Sequence, residues 1–221
     1  MLLLYQALGA VAILAVLAGM TLLIKFVLDA FFRTEFGLAL RATGDNEAMI
    51  VYVLALGSPT HPVEARAWEA YASTAEWGSF YGHEHFGFAP LFGHQYSHCW
   101  VDFRGLQDDY MRARGIDYFE NSRRATYVQR QYAIDNPHGW VGYDSLCWGV
   151  TASDGPGDSY NFGDREFLAY AGRGTSGPDY NYFDDGTIAP TAAGGSVPFA
   201  PELCIPALMA MKNEFGDKLY Q

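Results

Sequence analysis

Basic residues are scarce in this 221-residue chain. Its 14 Lys and Arg stand against 25 Asp and Glu, a formal charge of −11. Phosphate backbones select for cationic faces, so the balance argues against a nucleic-acid partner. Cysteine is scarcer still. Cys99, Cys147 and Cys204 are odd in number and widely spaced, with no CxxC pair. That removes zinc ribbons, thioredoxin-like chemistry and a disulfide framework, and leaves three core thiols as the expectation. No HExxH motif and no internal repeat occur. Beyond residue 24 no second apolar run is long enough to span a bilayer, so solute transport by this chain alone is not expected.

What is present is unevenly spread. Half the residues are hydrophobic, yet the mean hydropathy is −0.04. Much of the apolar character lies in Leu2–Ile24, broken only by Gln6. That run has the length of a transmembrane helix and lacks the basic start of a signal peptide. We therefore expect a membrane segment over residues 1–33, followed by a juxtamembrane stretch over 34–50. Lys25, Arg33 and Arg41 follow the run, which by the positive-inside rule places the following chain in the cytoplasm. The stretch TEFGLALRATGDNEAMI resembles a cytoplasmic loop of bacterial ABC-transporter permeases, with a junction expected near residues 46–51.

From Val51 the chain becomes aromatic and glycine-rich. A turn is expected at GSPTHP, and a helix over Glu64–Tyr81 with Trp68, Tyr71, Ala75 and Phe80 on one side. Gly82–Gly93 reads as loop, and His94–Phe103 as either strand or helix. Ile116–Ala133 is the clearest helix, stopped by Asn136-Pro137. A last helix is expected over Pro198–Tyr220, with Leu203, Ala207, Leu208 and Met211 inward. Helices between long loops predict a mainly α domain over residues 51–221.

Chemistry concentrates in Leu91–Ser122, LFGHQYSHCWVDFRGLQDDYMRARGIDYFENS. Aromatic faces, guanidinium forks and several carboxylates in thirty residues suit a polyhydroxylated ligand and proton transfer. His94, His98 and Asp102 stand at i, i+4 and i+8, one face of a helix if the segment is helical. That spacing leaves open a metal triad, sugar contacts or a packed polar face. DYNYFDDG, from Asp179, is a weak calcium-loop candidate that lacks the terminal Glu. Asp117-Tyr118-Phe119-Glu120 has the D-x-x-E pattern of a helix cap, which would make Glu120 structural. Pro201-Glu202 is a common helix start, with the acid favoured by the helix dipole.

The runs LALGSPTHP, FGHQYSHCWVDFRGLQDDYMRARGIDYFENSRRAT, WGVTASDGP and SVPFAPE closely resemble the glucoamylase-like domain family. Bacterial β-1,2-glucanases and part of the cyclic β-1,2-glucan synthases share that domain. The resemblance implies an (α/α)6 toroid and a β-glucan or oligosaccharide substrate, with no metal and no cofactor in the reaction. A twelve-helix ring needs on the order of 250–300 residues, more than residues 51–221 supply, so a partial toroid is expected. Glycoside hydrolysis requires an acid and a second carboxylate. Glu120 and Glu202 are the first candidates, with Asp102 and Asp109 behind them. His94, His98, Trp100, Arg104, Asp117, Tyr118 and Trp148 are the expected substrate contacts, and Trp140 is a further stacking platform. Two rival readings are a non-catalytic glucan-binding module on the membrane and a permease-derived protein with an inert passenger. Glucans usually lie outside the cytoplasm, so the resemblance favours a periplasmic or extracellular domain, against the charge rule.

Overall fold

The computed structural model describes residues 54–73, 77–175 and 182–219. The expected transmembrane segment and permease-like stretch lie outside them. Among the described residues no helix is long and apolar enough to cross a membrane. The compact unit that contains them runs from Asn46 to Gln221.

Five α-helices carry the described chain: α1 (Ala65–Ala72), α2 (Asp109–Arg112), α3 (Tyr118–Asp135), α4 (Pro190–Gly195) and α5 (Pro201–Leu219). Helices are joined by the expected long loops, and these loops also hold three small antiparallel sheets that the mainly α reading did not foresee. They are β1 (Trp77–Phe80) with β2 (His83–Phe86), β3 (Ala152–Asp154) with β6 (Tyr170–Gly172), and β4 (Tyr160–Phe162) with β5 (Arg165–Phe167). The helix expected over Glu64–Tyr81 stops at Ala72. Tyr81 and Gly82 both take positive φ, 48° and 81°. Two such residues in succession make a tight hairpin turn that returns the chain as β2. Phe80 therefore pairs with His83 across a sheet instead of continuing a helical stripe.

α3 organises the fold. Asp117 caps it by accepting from the Glu120 backbone N–H at 2.7 Å, as the D-x-x-E pattern requires. At the other end Asn136 adopts a left-handed φ of 43°, and its amide holds both the N–H and the C=O of Trp140. One face of α3 buries Ala125, Tyr132 and Ala133 against Leu91, Trp148, Val150, α4 and α5. Its first turn reaches a smaller core through Tyr118, with Phe103, Met111 and Ile116. α5 presents Cys204, Ala207 and Met211 to the larger core, with Ala200 just before it and Leu203 and Leu208 at its edge, close to the expected stripe. Of the three thiols only Cys204 is buried. Cys147 is half-buried and Cys99 exposed, so the core reading fails for Cys99.

A second tie lies far from α3's first turn. Arg173 and Asp185 form a wholly buried, bidentate pair, Nε–Oδ1 and Nη2–Oδ2 both 2.7 Å. The guanidinium also donates to the Leu168 and Ser153 carbonyls, so a single cation closes the loop between β3 and α4. Gly174 lets this loop lie flat on Ala89, because a Cβ there would stand 2.1 Å from the Ala89 carbonyl carbon.

Candidate functional site

Two 3-10 turns, Leu91–His94 and Tyr96–Cys99, carry the histidine-rich stretch. They are not one helix, so His94, His98 and Asp102 do not share a face. His94 is buried. Its Nε2 stands 3.3 Å from the Phe88 carbonyl, which can only accept, so Nε2 carries the proton and Nδ1 accepts from Asn121 at 3.4 Å. Burial pulls its pKa down to about 3. His94 is thus a neutral core residue, against the expected substrate contact. Among the described residues no group of three His, Cys, Asp or Glu side chains could hold a metal ion.

His98 points the other way, into a cleft of about 410 Å³ lined also by Gln95, Trp100, Asp102, Arg104, Phe119 and Phe199. Its ring lies 4.8 Å from those of both Phe103 and Phe199, and Nε2 is 3.0 Å from Ser122 Oγ. Burial lowers its pKa to about 4, so it is neutral above that range. Gln95 ties the cleft wall to the end of α4, donating to Ala192 O and Ser196 Oγ. Trp100 is 68% exposed and offers an open ring face at the cleft.

Asp102 is exposed rather than buried, and pairs with Arg104 at 3.6 Å and with its backbone N–H at 3.1 Å. The Arg104 guanidinium also lies over the Phe119 ring. The cleft therefore collects four of the expected residues, His98, Trp100, Asp102 and Arg104.

The remaining expectations scatter. Asp109 is exposed and paired with Arg112 on α2. Its neighbour Asp108 faces inward, accepting from Trp68 Nε1, Tyr118 Oη and the Met111 N–H. Tyr118 is accordingly a core residue, only 7% exposed. Asp117 is spent on capping α3 and on the Gly105 N–H. Trp148 is fully buried and offers no face to a sugar. Trp140 is half-buried, with Arg165 over its ring and its indole N–H on Asp184. Asp184 and Asp185, from the calcium-loop candidate, serve tyrosines and Arg173 instead.

Glu120 follows the cleft residue Phe119 directly and Glu202 lies three residues after Phe199, at the starts of α3 and α5. Glu120 is gripped by Arg124 Nε at 3.0 Å and approached by Arg123 Nη1 at 3.5 Å. Arg123 Nη2 donates to Tyr127 Oη at 3.1 Å, and Tyr127 donates to Glu202 Oε1 at 2.5 Å. The two carboxylates are thus linked by one ion pair, Arg123 to Glu120, and two hydrogen bonds, Arg123 to Tyr127 and Tyr127 to Glu202. Tyr127's bond, and then Glu202's own backbone N–H, hold the Glu202 carboxyl below its ordinary range. His83 of β2 lies against Tyr127, its ring 5.5 Å away. Burial, then Arg124, lowers its pKa. Sequence reasoning named neither Tyr127 nor His83. Tyr127 follows Glu120 by seven residues, two helical turns, which was the available signal.

The Glycoamylase family model, whose description names a glucoamylase, matches residues 39–221. The chain belongs to this family. The match begins inside the permease-like stretch and covers every residue of the cleft and of the carboxylate chain. An exo-β-1,2-glucooligosaccharide sophorohydrolase of Parabacteroides distasonis is 30% identical over 202 residues, covering 80% of this chain and 25% of the relative. The endo-β-1,2-glucanase of Chitinophaga pinensis, solved with sophorotriose and glucose, is 31% identical with a TM-score of 0.63. It covers 80% of this chain and 40% of that one. A β-1,2-glucanase from Parabacteroides distasonis is 28% identical with a TM-score of 0.59, covering 79% and 26%. The chain therefore spans a quarter to two-fifths of the length of these relatives.

Proposed function

We propose that this chain carries part of a glycoside hydrolase site for β-linked glucan, with β-1,2-glucan the substrate that the relatives' names favour. Its helices would form part of an (α/α)6 toroid. Glucosyl units would enter the cleft, stack on Trp100 and be held by Arg104, Asp102 and His98. Glu120 and Glu202 are the carboxylates of the reaction. Cleavage needs one group to protonate the leaving oxygen and another to act as base or nucleophile. Glu202, held below its ordinary range, suits the ionised role.

The observation that carries the reading is the linkage of Glu120 to Glu202, an ion pair to Arg123 followed by the Arg123–Tyr127–Glu202 hydrogen bonds. The test is release of reducing ends from β-1,2-glucan by the full chain and its Glu120→Gln and Glu202→Gln variants. Each variant should lose at least about 100-fold in kcat, the lower end of what acid–base catalysis supplies. Unchanged turnover would remove that residue from the mechanism. The open Trp100 ring favours a second reading, a glucan-binding module without turnover. Saturable oligosaccharide binding with no reducing ends released would select it. Attachment to the membrane through residues 1–33, with the domain outside the cytoplasm, remains part of the proposal. Protease accessibility in intact cells checks it.

A further inference from the structure

We propose that Tyr127 is a positioning residue that fixes the Glu202 carboxylate and joins it, through Arg123, to Glu120. The catalytic meaning of this inference rests on the glycosidase reading above, while its physical content rests on geometry alone. A guanidinium can only donate, and a phenol has one proton to give. With Arg123 Nη2 3.1 Å from Tyr127 Oη, and Tyr127 Oη 2.5 Å from Glu202 Oε1, the direction of both bonds is forced. Arg123 donates to Tyr127, and Tyr127 donates to Glu202. A bond of this kind is stronger when its acceptor is an anion, so the chain selects the carboxylate over the acid.

The ring is held in place from two directions. His83 lies 5.5 Å from it, and the Arg123 guanidinium carbon lies 4.7 Å over its face. Arg123 Nη1 meanwhile reaches Glu120 Oε2 at 3.5 Å. One guanidinium therefore touches both Glu120 and the phenol, so a shift at either end is felt at the other. Like charges repel, and the Arg123–Tyr127 bridge places a cation and a directed dipole between the two carboxylates. The charged or titratable groups around the bridge are Glu120, Arg123 and Arg124 on α3, His83 on β2, and Glu202 and Cys204 on α5. The Tyr127 phenol is itself made harder to ionise, by its bond to Glu202 first and by burial second, so it remains a donor across the working range.

The deciding variant is Tyr127→Phe in the full chain, which keeps the ring and deletes the donor. Carboxyl 13C titration, with Glu202 assigned through Glu202→Gln, reads the bridge whether or not the chain turns over. Tyr127→Phe should move the Glu202 midpoint to higher pH. It should also move the acid limb of kcat/KM to higher pH and lower kcat by about tenfold, the scale of a modest misplacement. An unmoved Glu202 midpoint would overturn the inference. So would a rate falling by one factor at every pH, as lost packing would give. If Glu202→Gln keeps full turnover while Tyr127→Phe moves the titration, the bridge stands and the glycosidase assignment falls. If Glu202→Gln is inactive and Tyr127→Phe moves nothing, the assignment stands and the bridge falls.

Discussion

Two carboxylate clusters in this molecule use the same residue types for opposite ends. At Asp184 and Asp185 the acceptors are saturated. Asp184 receives Tyr132, Tyr143, Trp140 and the Gly186 N–H, while Asp185 is sealed with Arg173. At Glu120 and Glu202 the same ingredients, carboxylate, arginine and tyrosine, lie half-buried or exposed, and acceptor capacity is left over. A saturated carboxylate can only hold the fold, because any new proton or hydroxyl must displace an existing donor. A partly satisfied, accessible one can take a ligand. Residue type therefore does not separate structure from chemistry here; spare acceptor capacity does, reinforced by burial at Asp185.

The sharpest way to break this contrast is Asp185→Ala. It strands the buried Arg173 guanidinium, and should cost about 3–5 kcal/mol in a urea or thermal unfolding measurement. A loss below 1 kcal/mol would show that the sealed cluster is not a structural centre. Burial alone would raise the Asp185 pKa. The bonds from the Arg173 and Thr187 side chains, and from the Leu168 backbone, outweigh it and hold the carboxyl below the usual aspartate range. The stability this contributes is present above the unfolded aspartate pKa of about 3.9. It is lost as pH falls through the lower folded value.

A second titration lies at higher pH and belongs to two buried imidazoles. Burial depresses His85 to about 4 and His94 to about 3. The unfolded chain binds protons on these imidazoles from about pH 6.5 downward, and the folded chain refuses them until near its lower values. Stability should therefore fall as pH drops from about 6.5 to about 4, with each histidine adding up to about 1.4 kcal/mol per pH unit to the slope. Unfolding midpoints of the parent and of His94→Asn across this window check it. An unchanged slope in the variant would remove His94 from the acid response.

Much of this organisation was legible in the sequence, for identifiable reasons. The D-x-x-E cap and the Asn136-Pro137 stop are local signals, and α3 begins and ends within two residues of the expected span. The resemblance to the glucoamylase-like family was legible because its runs are long and ordered, and the family match bears it out. Partners distant in sequence were not legible. Arg173 and Asp185 meet only when the loop between β3 and α4 folds. Glu202 meets Tyr127 only when α5 docks on α3. The hairpin at Tyr81-Gly82 was masked because Phe80 also fitted a helical period. Trp148 and Tyr118, expected as substrate contacts, are buried instead, because their burial is set by the two cores, which composition does not locate.

The smallest expected effect is the most discriminating. Glu120→Gln removes an i,i+4 partner of Arg124, a pair worth about 0.3–0.5 kcal/mol at a helix surface. Glu202→Gln leaves an amide oxygen that still accepts from Tyr127, on an exposed first turn of α5. Both variants should therefore unfold within about 0.5 kcal/mol of the parent, as substitutions away from core features do. The same variants should lose turnover by two orders of magnitude or more, on the reading given above. Asp185→Ala should show the opposite pairing, a large stability loss with activity falling only as far as folding does. If Glu120→Gln or Glu202→Gln instead destabilises by 2 kcal/mol or more, the carboxylate concerned is structural. The distinction drawn from burial and spare acceptor capacity would then fail at the position where it matters most.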